Sequence, residues 1–368
     1  MLPLFRLLPA VLVGLAFAAG PAPADLTDNL MKGTPDLKSA GALAFGPEGI
    51  LFIGDPQGAA IFAIDTQDRS QASARPLNVD GIDAKIAALL GTTPQEIQIN
   101  DLRVNPISGN AYLSVHRGRG PDAVPVIVRV GAGGKLEQVL LKEVKFSKVT
   151  LPNAPSTADK DRRGQPRRQE SITQIGFVDG RVLVSGLSNE EWASTLRAIP
   201  FPFKEADKGA GIEIFHGAHG RFETHAPINT FAPYTINGQA HLLAAYTCTP
   251  LVKIPVSELV AGAKVKGATV AELGNRNRPL DMVVYNRAGK DYCLMANSSR
   301  GMMKINLDGV DKAQAITARP KGETAGLPYD TIKGLAAVQQ MDRLDGNNAV
   351  VLIRTEGGHL NLHTIPLP

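Results

Sequence analysis

An all-β fold, a six-bladed β-propeller with short helical insertions on one face, is what this sequence predicts. Two observations carry the prediction: a hairpin of β-rich runs recurs six times, and each hairpin is followed by further β-rich runs. The chain has 368 residues, of which 37 are Gly and 26 are Pro. This content suits many tight turns and excludes a coiled coil or a helical bundle.

Each of the six hairpins joins two β-rich runs through a tight turn that contains glycine. The fourth has an Asn-Gly turn, which favours a type I′ hairpin. The turn glycines lie 51 to 71 residues apart and are Gly49, Gly109, Gly180, Gly238, Gly289 and Gly346.

A third and usually a fourth β-rich run follow each hairpin, as in residues 124–130 and 135–141. Four strands per unit are typical of a propeller blade, and six equivalent units fit a β-sandwich poorly. The last unit offers three strands, the third over residues 359–365. We expect the residues after Ala24 to supply its fourth strand and close the ring, which removes a free sheet edge.

Residues 42–55 and 102–114 resemble blades of the NHL-repeat and SMP-30/gluconolactonase-like propellers. The resemblance covers the inner hairpins, about a third of the chain, and implies the architecture. Those lactonases hold a divalent metal in the channel with Glu, Asn and Asp from separate blades. Their full ligand set has no match here, so their activity does not carry over.

The N-terminus has the order of a secretory signal. A basic start is followed by 13 apolar residues, 7–19, and then by Ala22-Pro23-Ala24. We therefore predict a signal peptide over residues 1–24, a single propeller domain over residues 25–368, and a secreted or periplasmic protein. A retained anchor is the alternative, although the run is short for a bilayer span, so no stable membrane insertion is expected.

The charge balance excludes a nucleic-acid partner. Without the signal, 38 basic residues face 35 acidic ones, which leaves no basic footprint. Residues 160–168 form one basic cluster that contains Pro and Gly and lacks aromatic residues. They predict a solvated loop, with a phosphate or anionic-polymer site as the alternative.

The long connections before the inner strands fall on one face of the disc, which makes that face the functional one. Residues 83–90 have a helical pattern, which predicts a short helix. Residues 142–170 are predicted to form a long, polar and basic connection. Ser188 to Glu191 form a capping box, which predicts a short helix that carries Trp192 and stops at Pro200. Trp192, Phe201 and Phe203 either pack this helix onto the disc or form a lid over the channel.

Polar residues at the channel mouth are the candidates for chemistry. Asp101, Asn277 and Asp281 offer hard oxygen ligands, which predicts Ca²⁺ or Mg²⁺; the alternative is that they cap turns and tie blades together. His116 is the candidate general base, with a merely turn-bonded histidine as the alternative. The candidate ligand-binding residues, whose arginines favour an anion, are Arg117, Glu190, Asn275, Arg276, Arg278, Asn297, Ser298, Arg300 and Arg354.

The cysteines and histidines give two further expectations. Cys248 and Cys293 are the two cysteines and are predicted as a disulfide pair in an oxidising compartment. The hairpin over residues 216–225 is rich in histidine, but it does not predict zinc. His225 would lie roughly 13 Å from His216 along the ladder, and the turn is expected on the short-loop face.

The leading functional prediction is an exported propeller that binds a small anionic ligand at its channel mouth, with a hard divalent ion for hydrolysis or lactone opening. The alternative is a non-catalytic scaffold that presents its long-loop face to an extracytoplasmic protein or a polymer. A quinone-cofactor dehydrogenase is the third class. An exposed apolar patch around Trp192 and Phe201 would favour the scaffold.

Overall fold

Six antiparallel blades surround a central channel in the computed structural model, which describes residues 25–71, 75–248 and 250–368. The six-bladed propeller is thereby confirmed, and all six predicted hairpins are present as the inner two strands of the blades. The predicted signal peptide lies outside the described residues.

The strands are numbered in chain order, and blades are numbered by their inner strands β2, β5, β10, β15, β20 and β25. The first nine are β1 (Met31–Gly33), β2 (Leu43–Phe45), β3 (Ile50–Asp55), β4 (Ala60–Asp65), β5 (Ile97–Val104), β6 (Ala111–Arg117), β7 (Val124–Val130), β8 (Leu136–Val139) and β9 (Val144–Thr150). Blades 3 and 4 use β10 (Gln174–Val178), β11 (Arg181–Leu187), β12 (Ser194–Pro200), β13 (Ala210–His216), β14 (Arg221–Glu223), β15 (Ile228–Ile236), β16 (Gln239–Tyr246), β17 (Pro250–Pro255), β18 (Lys264–Lys266) and β19 (Ala268–Leu273). The rest are β20 (Pro279–Arg287), β21 (Lys290–Asn297), β22 (Gly301–Asn306), β23 (Thr324–Gly326), β24 (Tyr329–Ile332), β25 (Val338–Arg343), β26 (Asn348–Arg354) and β27 (Leu360–Pro366).

The helices are short. The predicted helix is confirmed as α1 (Ile82–Leu89), which buries Ile82 and Ile86. Single turns of 3₁₀ helix cover Leu26–Asn29, Pro47–Gly49, Pro94–Glu96, Gly120–Asp122, Ala132–Gly134, Arg167–Glu170 and Val256–Glu258.

The blades do not follow one another around the ring in chain order. The inner strand β5 of blade 2 contacts β2 of blade 1 on one side and β25 of blade 6 on the other. The inner strand β10 of blade 3 contacts the opposite side of β2. The order around the ring is therefore 2, 1, 3, 4, 5 and 6, and blade 2 closes the ring.

The outer edge of blade 1 comes from the chain that follows blade 2. Strand β9 pairs with β4, and the N-terminal strand β1 pairs with β9. The predicted connection over residues 142–170 is therefore wrong for Val144–Thr150, and the prediction that the N-terminus completes the last blade is wrong. Lys145 and Lys148 stand in β9, and only Val149 is fully buried, so the composition resembles that of a polar connection.

Blade 6 has three strands, and the chain between blades 1 and 2 takes the fourth position. Val79 and Leu362 exchange both backbone hydrogen bonds, at 2.8 and 2.9 Å. The helix α1 then packs between β27 and β8. Apolar residues from blades 2 and 6 share one core cluster as a result, with Ile86, Leu113 and Leu362 among its members.

The capping box begins no helix, which corrects the prediction for Trp192. Residues 194–200 form β12 and pair along their length with β11, and Ser188 Oγ lies 2.8 Å from Thr195 Oγ1. These residues form a strand rather than a helix because pairing with β11 satisfies their backbone hydrogen-bonding groups and buries Leu196 and Ile199. Aromatic packing onto the disc is confirmed, since Phe201 is 8% exposed and its ring centroid lies 5.0 Å from that of Phe52.

Candidate functional site

A cavity of about 1200 Å³ opens on the face where the inner strands begin. Blades 1, 2 and 3 and the loop before blade 3 provide most of its wall. The polar residues that line it are Lys38, Ser39, Gln57, Gln98, Asn100, His116, Thr157, Asp161, Arg163, Gln165, Arg168, Gln169, Glu170, Thr173, Asn229 and Arg278.

Bulges near the starts of the inner strands turn polar side chains toward the mouth. The pairing register shifts around Asn100 in β5 and around Asn229 in β15, and a bulge re-aims the side chain of the extra residue. Asn100 Nδ2 donates to Ala40 O at 2.8 Å, and Asn229 Nδ2 donates to Thr247 Oγ1 at 2.9 Å. Both amides are thereby fixed, with their carbonyl oxygens left as acceptors.

The imidazole of His116 lines the cavity, but its geometry is that of a donor. The backbone N–H of Ala40 donates to His116 Nε2 at 3.1 Å, so the neutral ring carries its proton on Nδ1. Burial holds the pKa of His116 below its usual value, against the opposing charge of Asp55. A neutral ring whose free nitrogen bears the proton suits hydrogen bonding to a ligand better than the general-base role that the sequence predicts.

Glu170 is one of the two carboxylates that line the cavity, with Asp161, and it is not among the site residues predicted from the sequence. Burial raises its pKa, and the positive charge of Arg278 opposes that shift. Glu170 belongs to a strap, residues 160–171, that crosses the mouth face before blade 3. Arg168 holds this strap in place, because its Nη1 donates to Pro155 O at 2.8 Å and its Nε donates to Gln57 O at 3.1 Å. The basic cluster, residues 160–168, therefore forms an ordered part of the cavity wall, rather than only a solvated loop.

The close approach of this strap to blade 3 gives a testable prediction. A Cβ on Gly186 would lie 2.1 Å from Ser171 O and 2.9 Å from Glu170 O. Because both neighbours are backbone atoms, we expect Gly186→Ala to destabilise the fold by about 1–3 kcal/mol and to displace Glu170. Urea unfolding measures the loss. Gly346→Ala is the control, since nothing lies within 4 Å of a Cβ there, and an equal effect in the two variants would contradict the prediction.

Asp101 and Asp281 converge, but the place of a shared cation is taken by the guanidinium of Arg103. Arg103 Nη1 lies 3.0 Å from Asp101 Oδ1 and 3.0 Å from Asp281 Oδ2. Their other contacts are structural: Asp101 Oδ2 accepts from Leu43 N at 2.7 Å, and Asp281 Oδ2 accepts from Met341 N at 3.1 Å. This donor set does not fit Ca²⁺ or Mg²⁺, and its carboxylates tie neighbouring blades together.

The third residue of the predicted metal set lies elsewhere. Asn277 Oδ1 accepts from Asn297 Nδ2 at 2.9 Å, and Asn277 Nδ2 donates to Gly274 O. Asn297 Oδ1 in turn accepts from the backbone N–H of Arg300, and Ser298 Oγ accepts from Arg278 N. These residues build the junction of blades 4 and 5, and of them Arg278 is the one that lines the cavity.

The remaining predicted ligand residues do not line the mouth cavity. Asn275 and Arg276 are exposed on the loop before β20. The others bond locally: Arg117 Nη1 to Leu90 O, Arg354 Nη1 to Gly358 O, Glu190 Oε1 to Asn153 Nδ2, and Arg300 Nη2 to Glu323 Oε2.

The predicted disulfide is absent: Cys248 and Cys293 are both free thiols. Cys293 is fully buried in the core of blades 4 and 5, and burial raises the pKa of its thiol to about 12. Cys248 is half-buried on the loop after β16 and has two histidines as neighbours.

The contact between Arg103 and Asp101 could have been predicted from the sequence. Arg103 stands two residues after Asp101 in one strand, so the two side chains share a face, and a carboxylate and a guanidinium there indicate a pair. Glu170 gave no such signal, because the contact of its strap with the distant Gln57 depends on the closed ring.

Comparisons with known proteins find similar solved structures at low identity. No protein-family model and no curated protein matches the chain. Among solved structures, it is similar to the PQQ-bound aldose sugar dehydrogenase of Streptomyces coelicolor, at 12% identity over 92% of this chain and 97% of the other, with a TM-score of 0.35. A structural-genomics target described as a gluconolactonase matches at 10% identity over 92% and 94%, with a TM-score of 0.35. Extracellular domains 1–2 of Drosophila semaphorin 1b match at 11% identity over 92% and 87%, with a TM-score of 0.39.

Such low identities and TM-scores carry no argument about activity. In the described part of the chain, no helix combines the length and the apolar character needed to cross a bilayer. The chain is a six-bladed β-propeller.

Proposed function

We propose that this protein is an exported propeller that binds a small anionic ligand in the mouth cavity. The observation that carries the proposal is the charge of the wall, where four basic side chains face two acidic ones. The basic residues are Lys38, Arg163, Arg168 and Arg278, and the acidic ones are Asp161 and Glu170. A concave, net-positive site with several fixed polar groups favours an anion.

Arg278 is the anchor of the proposed site. Its side chain is exposed to the cavity, and its backbone is fixed to Ser298 by two hydrogen bonds of 2.9 Å. A guanidinium on a fixed backbone can grip a carboxylate or a phosphate through two parallel hydrogen bonds. The Nδ1–H of His116 and the amide oxygens of Asn100 and Asn229 would orient the rest of the ligand.

Glu170 provides the one group in this wall suited to moving a proton. Its raised pKa keeps a larger protonated fraction near neutrality than an ordinary glutamate has. A reaction at this site would therefore use Glu170 as its acid or base, and an anionic substrate would lie between it and Arg278. The metal-dependent hydrolysis predicted for Asp101 and Asp281 does not fit, because the guanidinium of Arg103 lies between the two carboxylates and pairs with both.

The scaffold alternative predicted an exposed apolar patch around Trp192 and Phe201. Phe201 is buried, and Trp192 is half-buried with Lys264 Nζ 5.3 Å from its ring centroid. These residues therefore give no support to a protein-binding surface at this place.

Calorimetric titration with sugar acids tests the proposal. We expect D-gluconate or D-galacturonate to bind, and uncharged sorbitol to bind at least about 10-fold more weakly, because a hydrogen bond to a charged group contributes about 1.5–3 kcal/mol. For the same reason, Arg278→Gln should weaken binding of the acid by at least about 10-fold. Arg276→Gln is the matched control, since Arg276 is exposed two residues away and does not line the cavity.

Two results would contradict the proposal: no binding of sugar acids, phosphate or citrate by the native protein, or equal loss of affinity in the two arginine variants.

We further propose that residues 1–24 direct export. N-terminal sequencing of the exported protein tests this, and a chain that begins after Ala24 is the expected result.

A further inference from the structure

We propose that His216, His219 and Cys248 form a binding site for Zn²⁺ at the junction of blades 3 and 4. One ring nitrogen of each histidine and the Sγ of Cys248 all lie within 4.8 Å of one another. Two imidazoles and a thiolate are ligands that Zn²⁺ accepts, and they are poor ligands for Ca²⁺ or Mg²⁺. This site is separate from the mouth cavity and from Asp101 and Asp281.

The hairpin β13–β14 brings the histidines to the cysteine. Strand β13 pairs with only the first residues of β12, through Gly211 and Ala210, and then continues past the sheet into the turn after His216. The turn therefore reaches the long-loop face, where the loop after β16 carries Cys248. The expectation that it lies on the short-loop face is wrong, because it took β13 and β14 as the third and fourth strands of the blade, whereas β12 is the third strand and β13 is the fourth.

Glu223 orients both imidazoles. Its Oε2 lies 2.8 Å from His216 Nδ1, and its Oε1 lies 2.7 Å from His219 Nδ1. A carboxylate acceptor places the proton on Nδ1, so each ring keeps its lone pair on Nε2. Metal-binding histidines are held in this way, by a carboxylate on the nitrogen that does not bind the metal.

The free nitrogen of His216 points to a missing partner. His216 is 2% exposed, and its Nε2 is buried with no hydrogen-bond partner among the residues that the structure describes. A buried polar atom without a partner costs about 1–3 kcal/mol. Coordination of an ion at Nε2 would remove that cost, whereas the contacts with Glu223 leave it in place.

The geometry needs only a small closure. Bond lengths of about 2.0–2.1 Å to nitrogen and about 2.3 Å to sulfur place tetrahedral ligand atoms roughly 3.3–3.8 Å apart. The ligand atoms of the cluster lie within 4.8 Å of one another, so they exceed these distances by at most about 1.5 Å. The His219 side chain is 45% exposed and can rotate toward buried His216. Three protein ligands leave the fourth position of the ion open to water or to a small ligand, as in catalytic zinc sites.

The metal alone is the probe for this proposal. We expect the reduced full-length protein, dialysed against micromolar free Zn²⁺, to retain about one equivalent by mass spectrometry. Co²⁺ in its place should give the charge-transfer absorption of a cobalt–thiolate bond. Cys248→Ser and His219→Ala should each lower the affinity by more than about 100-fold, and Glu223→Gln by about 10–100-fold.

His225→Ala is the matched control, since His225 is an exposed histidine after the same hairpin and lies outside the cluster. It should retain the metal and the absorption band. Cys293 is unchanged in every variant, so a band that survives in Cys248→Ser would come from another thiolate and overturn the proposal. Failure of the native protein to retain Zn²⁺, or equal retention by His219→Ala, would overturn it as well.

Discussion

Replacing Arg103 with methionine should destabilise the protein by about 3–5 kcal/mol, the range for breaking a buried ion pair. The side chain is 12% exposed and lies 3.0 Å from carboxylate oxygens of both Asp101 and Asp281. Asp342, which accepts from Val104 N at 2.7 Å, adds a third negative charge nearby. Arg103→Met leaves these buried carboxylates without their cation, and urea unfolding at pH 7 measures the loss.

Two further variants make this result specific. Arg343→Met removes an exposed guanidinium from the neighbouring strand β25 and should change stability by less than about 0.5 kcal/mol. Adding Asp281→Asn to Arg103→Met should recover part of the loss, because one uncompensated charge is removed. Equal effects of the two arginine variants, or no recovery in the double variant, would show that Arg103 acts by packing alone.

Replacing Asp101 with asparagine should change how stability depends on pH. Burial, reinforced by the charge of Asp281 and opposed by that of Arg103, raises the pKa of Asp101 to about 7, from 3.8. The folded state therefore binds more protons than the unfolded state between about pH 4 and pH 7. In that window this group makes the fold less stable as pH rises, by at most about 1.4 kcal/mol per pH unit.

Asparagine keeps the shape of the protonated acid and does not ionise. We therefore expect Asp101→Asn to gain stability relative to the native protein as pH rises from 4 to 7, with a constant difference above about pH 8. Thermal melts at fixed ionic strength across pH 4–8 measure this gain. Asp345→Asn is the control: hydrogen bonds from Asn348 hold the pKa of Asp345 below its usual value despite partial burial, so its own titration falls below the window. A difference that does not vary with pH would contradict the assignment to Asp101.

The parts of the fold that depend on local chemistry could be predicted from the sequence. The turn glycines marked all six inner hairpins, and five of the six adopt a positive φ, as Gly109 and Gly180 do. The spacing of Ile86, Leu89 and Leu90 indicated α1, because a helical pattern depends on local sequence. The capping box at Ser188 failed for a complementary reason, since the partner that makes residues 194–200 a strand is β11.

Less of the candidate site could be predicted from the sequence, because its residues come from different blades and meet only when the ring of blades has closed. His116 and Arg278 were expected at the mouth and line it, yet the proton position of His116 depends on Ala40, a residue of the neighbouring blade. The carboxylate oxygens of Asp101 and Asp281, expected at the channel mouth, suggested a metal, and only the structure shows Arg103 between them. The cluster of Cys248 with His216 and His219 depends on the extension of β13 beyond its pairing with β12. No local sequence pattern predicts that extension.

The position of blade 2 in the ring has a consequence for synthesis of the chain. Its inner strand contacts β25, whose residues are made about 240 positions later, and its core cluster includes Leu344 and Leu362. At about 5–20 residues per second, these partners emerge roughly 10–50 s after blade 2. Throughout that interval α1 lacks its neighbour β27, and β5 lacks its neighbour β25. The nascent chain therefore passes through a long aggregation-prone stage, which ends when the strands β25 to β27 have been made.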